Sequence, residues 1–243
     1  MLTRKFNISD ISVAILAGGF ALRLRPATEK IPKSVIPVAG RPFILHQLEL
    51  LKVNGIKHVV LCIGHLGRTI EELVGDGSRL GLEIEYSYDG NRLLGTGGAI
   101  KKALPILSDP FFILYGDSYL PTDYSKVLEA YKRSDKLALM TVYENHNQWD
   151  KSNIWFEDNQ IKAYNKKIFL PQMKHIDYGL SVFSKEVFRN CKSNKTMDLG
   201  ILFNELWQKN ELGVYEVPER FYEIGSLKGL TELDTKLTQK GKV

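Results

Sequence analysis

The sequence predicts an α/β protein whose sheet is mostly parallel and carries helices on both faces. Apolar runs of strand length alternate with segments of helical apolar spacing through the first half of the chain. Turns that contain glycine separate these segments, and such alternation is typical of repeated strand–helix–strand units. After about residue 137, short strand-like runs joined by turns predict a smaller, β-rich second half.

The first half is predicted to contain four strands that alternate with helices. The predicted strands occupy residues 13–17, 58–63, 82–88 and 111–115, and the first two helices occupy residues 43–53 and 69–74. Prolines precede the first helix, as is common at a helix start. A third helix opens on the glycine-rich loop at residues 95–98 and runs through Leu104.

The second half is predicted to contain four strands followed by two helices. The strands occupy residues 137–143, 154–157, 161–164 and 178–183, and the helices occupy residues 199–208 and 226–237. Neither a Gly/Ser-rich linker nor a low-complexity segment separates the halves. We therefore expect a single domain over residues 1–243, with halves at residues 1–136 and 137–243.

Composition excludes several classes of protein. There are 33 lysines and arginines against 28 aspartates and glutamates, a net charge of +5 that is spread along the chain. Because no basic run is interleaved with aromatic residues, nucleic-acid binding is not expected. No apolar run reaches the roughly 18 residues of a membrane span, and the amino terminus lacks a signal-peptide core. Cys62 and Cys191 are far apart in the sequence and are expected to be reduced, as is typical of cytosolic proteins. We therefore predict a cytoplasmic protein without a membrane partner.

Glycines and charged residues follow two of the predicted strands at one edge of the sheet. In open α/β sheets, ligands bind beyond the carboxyl ends of the strands. Gly18-Gly19 follows the first strand, Arg23 and Lys33 lie on the next loop, and Asp117 follows the fourth strand. Backbone N–H groups and cations can hold phosphates, and a carboxylate can hold Mg²⁺. The sequence therefore predicts a Mg²⁺–nucleotide site, although it contains neither GxGxxG nor GxxxxGK[ST].

The same stretch resembles a known family. AILAGGFALRLRPATEKIPKSVIPVAGRP is similar to the opening signature of the sugar-1-phosphate nucleotidylyltransferases, LAGGxGTRLxPxTxxxPKxxxPVxGxP. The resemblance continues in the same order through GDGSRLGLEIEYSYD, LLGTGGAI, YGDS and EIGSLKGL, and so covers essentially the whole chain. It implies a Rossmann-like, GT-A-like nucleotidyltransferase fold. The first half would bind the nucleotide and the second half the sugar phosphate.

The resemblance implies a reaction in which a sugar-1-phosphate attacks the α-phosphate of an NTP and releases pyrophosphate. Arg23 would stabilise the pyrophosphate and Lys33 the α-phosphate. Asp117 and Glu223 would bind Mg²⁺, with Glu223 at the position of the family's second metal-binding aspartate. Lys166 would contact the sugar phosphate, and Lys167 remains a rival for that role.

The resemblance also assigns residues to the two substrates. The ribose and base would be lined by Leu16, Ala17, Gly18, Gly19, Gly95, Thr96 and Gly97. The sugar would face Asp177, Tyr178 and Gly179. Among NTPs, the likeness to short bacterial members favours GTP, with a mannose- or heptose-type sugar-1-phosphate. A homo-oligomer is left open.

Three departures from the family pattern leave other functions open. Ala21-Leu22 replaces Gly-Thr, Glu223 replaces aspartate, and Asn165 replaces the acid before the sugar-phosphate lysine. A non-catalytic regulatory subunit that binds nucleotide sugars is one alternative, and cytidylyl transfer to a non-sugar phosphate is another. The tryptophans at positions 149, 155 and 207 are expected in the core or at interfaces.

Overall fold

The computed structural model describes residues 6–19, 31–90, 92–165, 167–192 and 195–240. Arg23, the Ala21-Leu22 pair and Lys166 lie outside these residues, so their predicted roles stay predictions. Over the described part of the chain, none of the helices is long and apolar enough to cross a bilayer.

Strands and helices alternate through the first half, as predicted. The strands are β1 (Val13–Leu16), β2 (Pro37–Val38), β3 (Arg41–Pro42), β4 (His58–Ile63), β5 (Glu83–Tyr88), β6 (Phe111–Tyr115), β7 (Ser118–Tyr119), β8 (Ala138–Glu144), β9 (Ile154–Glu157), β10 (Gln160–Tyr164), β11 (His175–Phe183), β12 (Leu212–Glu216) and β13 (Tyr222–Glu223). The helices are α1 (Phe43–Val53), α2 (Gly67–Val74), α3 (Gly95–Ala103), α4 (Tyr124–Ser134), α5 (Leu199–Gln208) and α6 (Leu227–Lys240).

Nine of the described strands form one sheet that draws on both halves of the chain. Its main order is β10-β9-β11-β6-β1-β4-β5, and β8 joins β11 to β12. Strands β6, β1, β4 and β5 are parallel neighbours. Strand β11 is antiparallel to β6 and β8, with a shift in register between Asp177 and Ser181. The first half therefore supplies the parallel centre of the sheet, and the second half extends it with mainly antiparallel pairs.

Helices cover both faces of the sheet. Alternate residues of its buried strands point to opposite faces, so neighbouring residues of one strand pack against different helices. Val13 and Ile15 of β1 pack in one cluster with residues of α1, α2 and α4. Ala14 packs in a second cluster with residues of α3 and α5. This arrangement confirms the predicted fold class.

Helix α4 and strand β12 were not predicted from the sequence. The signals for α4 were present, because Asp123 precedes the helix and its side chain accepts from the N–H groups of Ser125, at 2.9 Å, and Lys126. Tyr124, Val127 and Leu128 then face the core at the i, i+3, i+4 spacing of a helix. Strand β12 contains Gly213 at its second position, which weakens a strand pattern.

Candidate active site

The carboxyl ends of β1, β4 and β6 lie level with one another and form the floor of a cavity. Leu16 is in register with Cys62 of β4 on one side and with Tyr115 of β6 on the other. The cavity has a volume of about 280 Å³, and we call it the glycine cavity. It brings together six of the seven residues predicted to line ribose and base: Leu16, Ala17, Gly18, Gly19, Gly95 and Thr96.

Close packing of backbone explains two glycines around this cavity. The N–H of Gly116 donates to the Leu16 carbonyl at 3.0 Å, and a Cβ on Gly116 would lie 2.8 Å from that oxygen. Gly95 has a φ of +72°, and a Cβ there would lie 2.6 Å from the Met197 carbonyl oxygen. Gly97 is not on the cavity wall, because it is buried and its N–H donates to Met197 at 2.9 Å. The structure therefore places Gly97 in helix packing.

A second cavity, of about 530 Å³, lies beside the first on the second-half side. We call it the acidic cavity, because Asp117, Asp150, Asp177 and Glu223 all line it. The predicted sugar residues Asp177, Tyr178 and Gly179 are brought together here.

Tyr178 borders the acidic cavity but belongs mainly to the core. Its side chain is only 2% exposed and packs against the rings of Tyr143 and Phe221. The Asp177 carboxylate accepts from the Gly179 N–H at 3.0 Å, which fixes the bend where the register of β11 shifts. The φ of Gly179 is +97°, a conformation that glycine adopts without strain.

An ion pair stands at the boundary of the two cavities. The Lys33 ammonium lies 2.7 Å from Asp117 Oδ2, and both residues line both cavities together with Tyr115. Asp117 lies in the turn between β6 and β7, and Lys33 opens a single 3₁₀ turn after Pro32. Residues separated by 84 positions are therefore brought to one point by the sheet edge and the loop above it.

The two predicted metal ligands line the acidic cavity together at one end of a short ribbon. Strand β7 pairs with β13, so that Ser118 is opposite Glu223, and the Ile224 N–H donates to the Asp117 carbonyl at 2.9 Å. The Glu223 carboxylate accepts from the Gly225 N–H and, at 2.6 Å, from the Ser226 hydroxyl. In this structure Glu223 therefore satisfies donors at the start of α6, a position where a carboxylate is also favoured by the helix dipole.

Residues 12–240 match the profile of the protein family described as nucleotidyl transferase. The chain belongs to this family. The match spans both halves of the sheet and both cavities, and it agrees with the resemblance to sugar-1-phosphate nucleotidylyltransferases.

Three similar proteins illustrate the family. The mannose-1-phosphate guanylyltransferase catalytic subunit beta of Xenopus tropicalis is 29% identical over 220 residues, 88% of this chain and 61% of that protein. The D-glycero-alpha-D-manno-heptose 1-phosphate guanylyltransferase of Campylobacter jejuni is 28% identical over 213 residues, 87% of this chain and 93% of that protein. HddC from Yersinia pseudotuberculosis, solved with GMP-PN, is 23% identical with a TM-score of 0.78, covering 93% of this chain and 99% of that chain, which shows a shared fold.

The share of each relative that this chain covers differs. The chain spans only 52–61% of the length of the first three curated relatives that it matches. What those whole proteins do therefore comes to this chain only as a proposal.

Nucleotidyl transferases of this family generally use a divalent metal. The donor set here fits a hard cation, since Asp117, directly before β7, and Glu223, on β13, offer carboxylate oxygens. Over the described residues, no group of three or more His, Cys, Asp or Glu side chains could hold a metal alone. Such a pair matches a cation bound through one or two carboxylates and completed by substrate phosphates.

Two side chains at the floor of the glycine cavity, Tyr115 and Cys62, have raised pKa values. Loss of hydration raises the pKa of the Tyr115 hydroxyl well above its usual value, and the charge of Asp177 adds to this effect. Burial, with the nearby Asp89 carboxylate as a smaller cause, raises the pKa of the Cys62 thiol to about 12. At neutral pH the protein therefore presents a protonated phenol and a protonated thiol to the cavity.

Sequence reasoning missed Asp89, which lines the glycine cavity. Its carboxylate accepts from the Leu94 N–H at 3.2 Å, and desolvation raises its pKa. Asp89 directly follows β5, and Asp117 lies two residues beyond the end of β6. The signal that identified Asp117, an aspartate at the carboxyl end of a strand, would also have identified Asp89.

Of the two lysines predicted to contact the sugar phosphate, the structure describes only Lys167. Lys166 lies outside the described residues, and its rival Lys167 is exposed with its N–H bonded to Asn165 Oδ1 at 2.8 Å. Trp149, expected in the core or at an interface, is 36% exposed and lines the acidic cavity, so it is not a core residue.

Gln47, on α1, holds the segment that carries Asp117. Its side-chain amide donates to the Tyr115 carbonyl at 2.8 Å and to the Ser118 carbonyl at 2.7 Å. Gln47 is 1% exposed, so no water can replace it at these carbonyls without rearrangement. The residue thus fixes the backbone on both sides of Asp117.

We expect Gln47→Met to lower activity through the position of Asp117. Methionine is similar in size but donates no hydrogen bond, so two buried carbonyls lose their partner at about 1–3 kcal/mol each. Turnover should fall about 10- to 100-fold, the range expected when a reacting group shifts slightly, and the Mg²⁺ requirement should rise. Steady-state kinetics with metal titration measure both effects. Gln208→Met on the exposed end of α5 is the matched control, and a lower melting temperature with unchanged metal dependence would make Gln47 a purely structural residue.

Proposed function

We propose that this protein transfers a nucleotidyl group from an NTP to a sugar-1-phosphate, forming an NDP-sugar and pyrophosphate. The observation that carries the proposal is the Lys33–Asp117 pair at the boundary of the two cavities. Two anionic substrates, one in each cavity, would meet where a cation and a carboxylate already lie.

The glycine cavity suits the nucleotide, and the acidic cavity suits the sugar phosphate. Backbone at Gly18 and Gly19 lies open to the first cavity, where no Cβ shields its N–H groups from phosphate oxygens. Asp177 and Asn153 line the second cavity and offer polar groups for sugar hydroxyls. Tyr115, which borders both, would donate a hydrogen bond from its protonated hydroxyl.

In the proposed reaction a sugar-phosphate oxygen attacks the α-phosphorus as the bond to the bridging oxygen of pyrophosphate breaks. Lys33 would neutralise charge that grows on the α-phosphate, and it would contribute by position and electrostatics alone. Arg23 would stabilise the leaving pyrophosphate, and Lys166, or its rival Lys167, would hold the sugar phosphate. No covalent intermediate with the protein is required.

We propose Mg²⁺ as the metal, held by Asp117 and Glu223 with phosphate oxygens. When bound it would neutralise phosphate charge near the reacting atoms. To hold it, the Asp117 carboxylate would contact the metal in place of Lys33. The Glu223 carboxylate would give up its hydrogen bond from the Gly225 N–H.

The finer identity of the substrates is also proposed. GTP and a mannose- or heptose-type sugar phosphate are favoured, because two similar proteins are named as guanylyltransferases for mannose-1-phosphate and for a heptose 1-phosphate. We also propose a cytoplasmic location. Sedimentation experiments would measure whether the chain forms a homo-oligomer.

A pyrophosphate-release screen tests the proposed function. Four NTPs would be combined with a panel of sugar-1-phosphates, with phosphocholine as a non-sugar acceptor. We expect release only when an NTP and a sugar-1-phosphate are both present. Release with phosphocholine and CTP instead would support cytidylyl transfer, and no release with any pair would contradict both activities.

A regulatory subunit that binds nucleotide sugars is the second candidate. The observation in its favour is the Glu223 carboxylate, which is occupied with the Gly225 N–H and the Ser226 hydroxyl. In this case the protein would bind an NDP-sugar, measured by calorimetry, without releasing pyrophosphate from any substrate pair.

A further inference from the structure

Trp149 lies at the acidic cavity, where no role has been assigned to it. Its side chain is 36% exposed and lines this cavity together with Asn153 and Asp177. The described wall of the glycine cavity does not include it. Tryptophan carries a large, flat and rigid apolar surface, which is stabilised when a partner removes it from water. An apolar ring that borders a polar cavity therefore points to a ligand with an apolar face.

A buried asparagine holds the loop that carries Trp149. Asn145 is 0% exposed, and its Oδ1 accepts from the Trp149 N–H at 3.3 Å. Its Nδ2 donates to the Asp150 carbonyl at 2.6 Å. One buried side chain thus fixes the backbone on both sides of the indole.

The same loop contains two consecutive residues in the left-handed backbone conformation. His146 has a φ of +48° and Asn147 a φ of +60°. This conformation is uncommon for residues other than glycine, and its cost is tolerated where the surroundings enforce it, which is frequent at ligand sites. The Ser152 N–H donates to Asn147 Oδ1 at 2.8 Å and so closes the loop across Trp149. The loop is therefore pre-organised, which lowers the entropic cost of binding.

One face of the Trp149 ring is covered by a cation. The Arg220 guanidinium lies 3.1 Å from the ring centroid, and Glu232 of α6 pairs with this guanidinium. The Lys228 ammonium lies 5.9 Å from the same centroid. Because Lys228 and Glu232 are four positions apart on α6, they share one face of that helix, and both cations belong to the α6 side of the ring. The ring surface that remains borders the acidic cavity.

We propose that the pyranose ring of the sugar-1-phosphate packs its C–H face against Trp149 in the acidic cavity. A pyranose carries C–H bonds on its faces and hydroxyls around its rim, so it suits a flat apolar surface combined with hydrogen-bonding groups. The Asp177 carboxylate and the Asn153 side-chain amide line the same cavity and would bind hydroxyls of the rim. Mannose- and heptose-type sugars both contain this ring. The proposal rests on the proposed transferase function and adds a residue that recognises the sugar.

Steady-state kinetics of Trp149 variants test the proposal. Trp149→Ala should raise the KM for mannose-1-phosphate at least about tenfold, as expected when an aromatic anchor is truncated, and should leave the KM for the NTP unchanged. Because the ring would bind substrate and transition state alike, kcat should change much less than this KM. Trp149→Phe keeps a flat ring and should retain most of the affinity for the sugar phosphate.

Another tryptophan provides the matched control. Trp207, on α5, donates from its ring N–H to the Ile161 carbonyl at 2.9 Å and packs against the core. Trp207→Phe should leave the KM for mannose-1-phosphate unchanged. A folded Trp149→Ala protein with the wild-type KM for mannose-1-phosphate would overturn the proposal. Equal increases in both KM values would also overturn it, because they would indicate a purely structural residue.

Tryptophan fluorescence measures the contact without turnover. The chain has three tryptophans, at positions 149, 155 and 207. A sugar ring packed on Trp149 removes water from the indole, so GDP-mannose should shift the emission to shorter wavelength and GDP alone should not. The shift should be absent in Trp149→Phe and present in Trp207→Phe. An equal shift with GDP, or a shift that persists in Trp149→Phe, would overturn the proposal.

Calorimetry separates this proposal from the proposed function. The Kd values of GDP-mannose and UDP-glucose are compared with those of GDP and UDP, in the wild type and in Trp149→Ala. Suppose that no substrate pair releases pyrophosphate, but that one nucleotide sugar binds at least about tenfold more tightly than its nucleoside diphosphate only when Trp149 is present. The transferase function then fails while the Trp149 site stands. Equal binding of each nucleotide sugar and its nucleoside diphosphate to the wild type would overturn the Trp149 site.

Discussion

Lys33→Ala is expected to reduce turnover by about 10²-fold or more while the protein stays folded. Its ammonium is at the boundary of the two cavities, where charge would grow on the α-phosphate. Removing a pre-organised cation from that position takes away stabilisation that exists only in the transition state, so kcat should fall more than the KM for either substrate rises.

Folding should be nearly unaffected by this change. The Lys33 and Asp117 side chains are 18% and 39% exposed, and an ion pair in contact with water contributes only about 0–1 kcal/mol. Thermal melting and pyrophosphate release are measured on the same preparations. Lys126→Ala, whose side chain is 68% exposed on α4, is the matched control and should keep full turnover. Wild-type turnover in a folded Lys33→Ala protein would remove Lys33 from the mechanism.

The alternation of buried strands and helices made the first half of the fold predictable. Runs such as Phe111–Tyr115 are apolar throughout because β6 is covered on both faces, and they need no tertiary information to be found. The ribbon of β7 and β13 was not predictable, because each strand has two residues and gives no periodic signal. That the chain forms a single domain stays a prediction, which the sheet shared by both halves supports.

The site was predictable where it depends on the ends of strands. Leu16, Gly18 and Asp117 lie at one edge of the sheet, as predicted, because parallel strands align their carboxyl ends, and their binding roles stay predictions. The wall built by Trp149 was not predictable, since it depends on the stack with Arg220, which is 71 positions away in the chain. Long-range contacts between irregular loops leave no pattern in the local sequence.

Removal of metal is expected to abolish activity, and loss of the Asp117 carboxylate is expected to raise the metal requirement. A chelator should stop pyrophosphate release, and added Mg²⁺ should restore it. Asp117→Asn should raise the Mg²⁺ concentration for half-maximal activity more than about tenfold, because a neutral amide replaces an anionic ligand of a hard cation. Full activity in the presence of chelator would contradict the assignment of Asp117 as a metal ligand.

Substitutions of Glu223 distinguish a role in metal binding from a role in stabilising the start of α6. The Gly225 N–H and the Ser226 hydroxyl donate to different oxygens of the Glu223 carboxylate. Glu223→Gln keeps one acceptor oxygen for the Gly225 N–H, and its amide NH2 can donate to the Ser226 hydroxyl oxygen, so stability should change little. Glu223→Ala removes that acceptor and should cost about 0.5–2 kcal/mol, as for a lost helix cap. If Glu223 binds metal, Glu223→Gln should raise the Mg²⁺ requirement strongly, and Glu223→Asp should also impair activity because the carboxylate is withdrawn by one methylene. Wild-type metal dependence in Glu223→Gln, with a lower melting temperature only in Glu223→Ala, would show that Glu223 serves α6 alone and would favour the regulatory subunit.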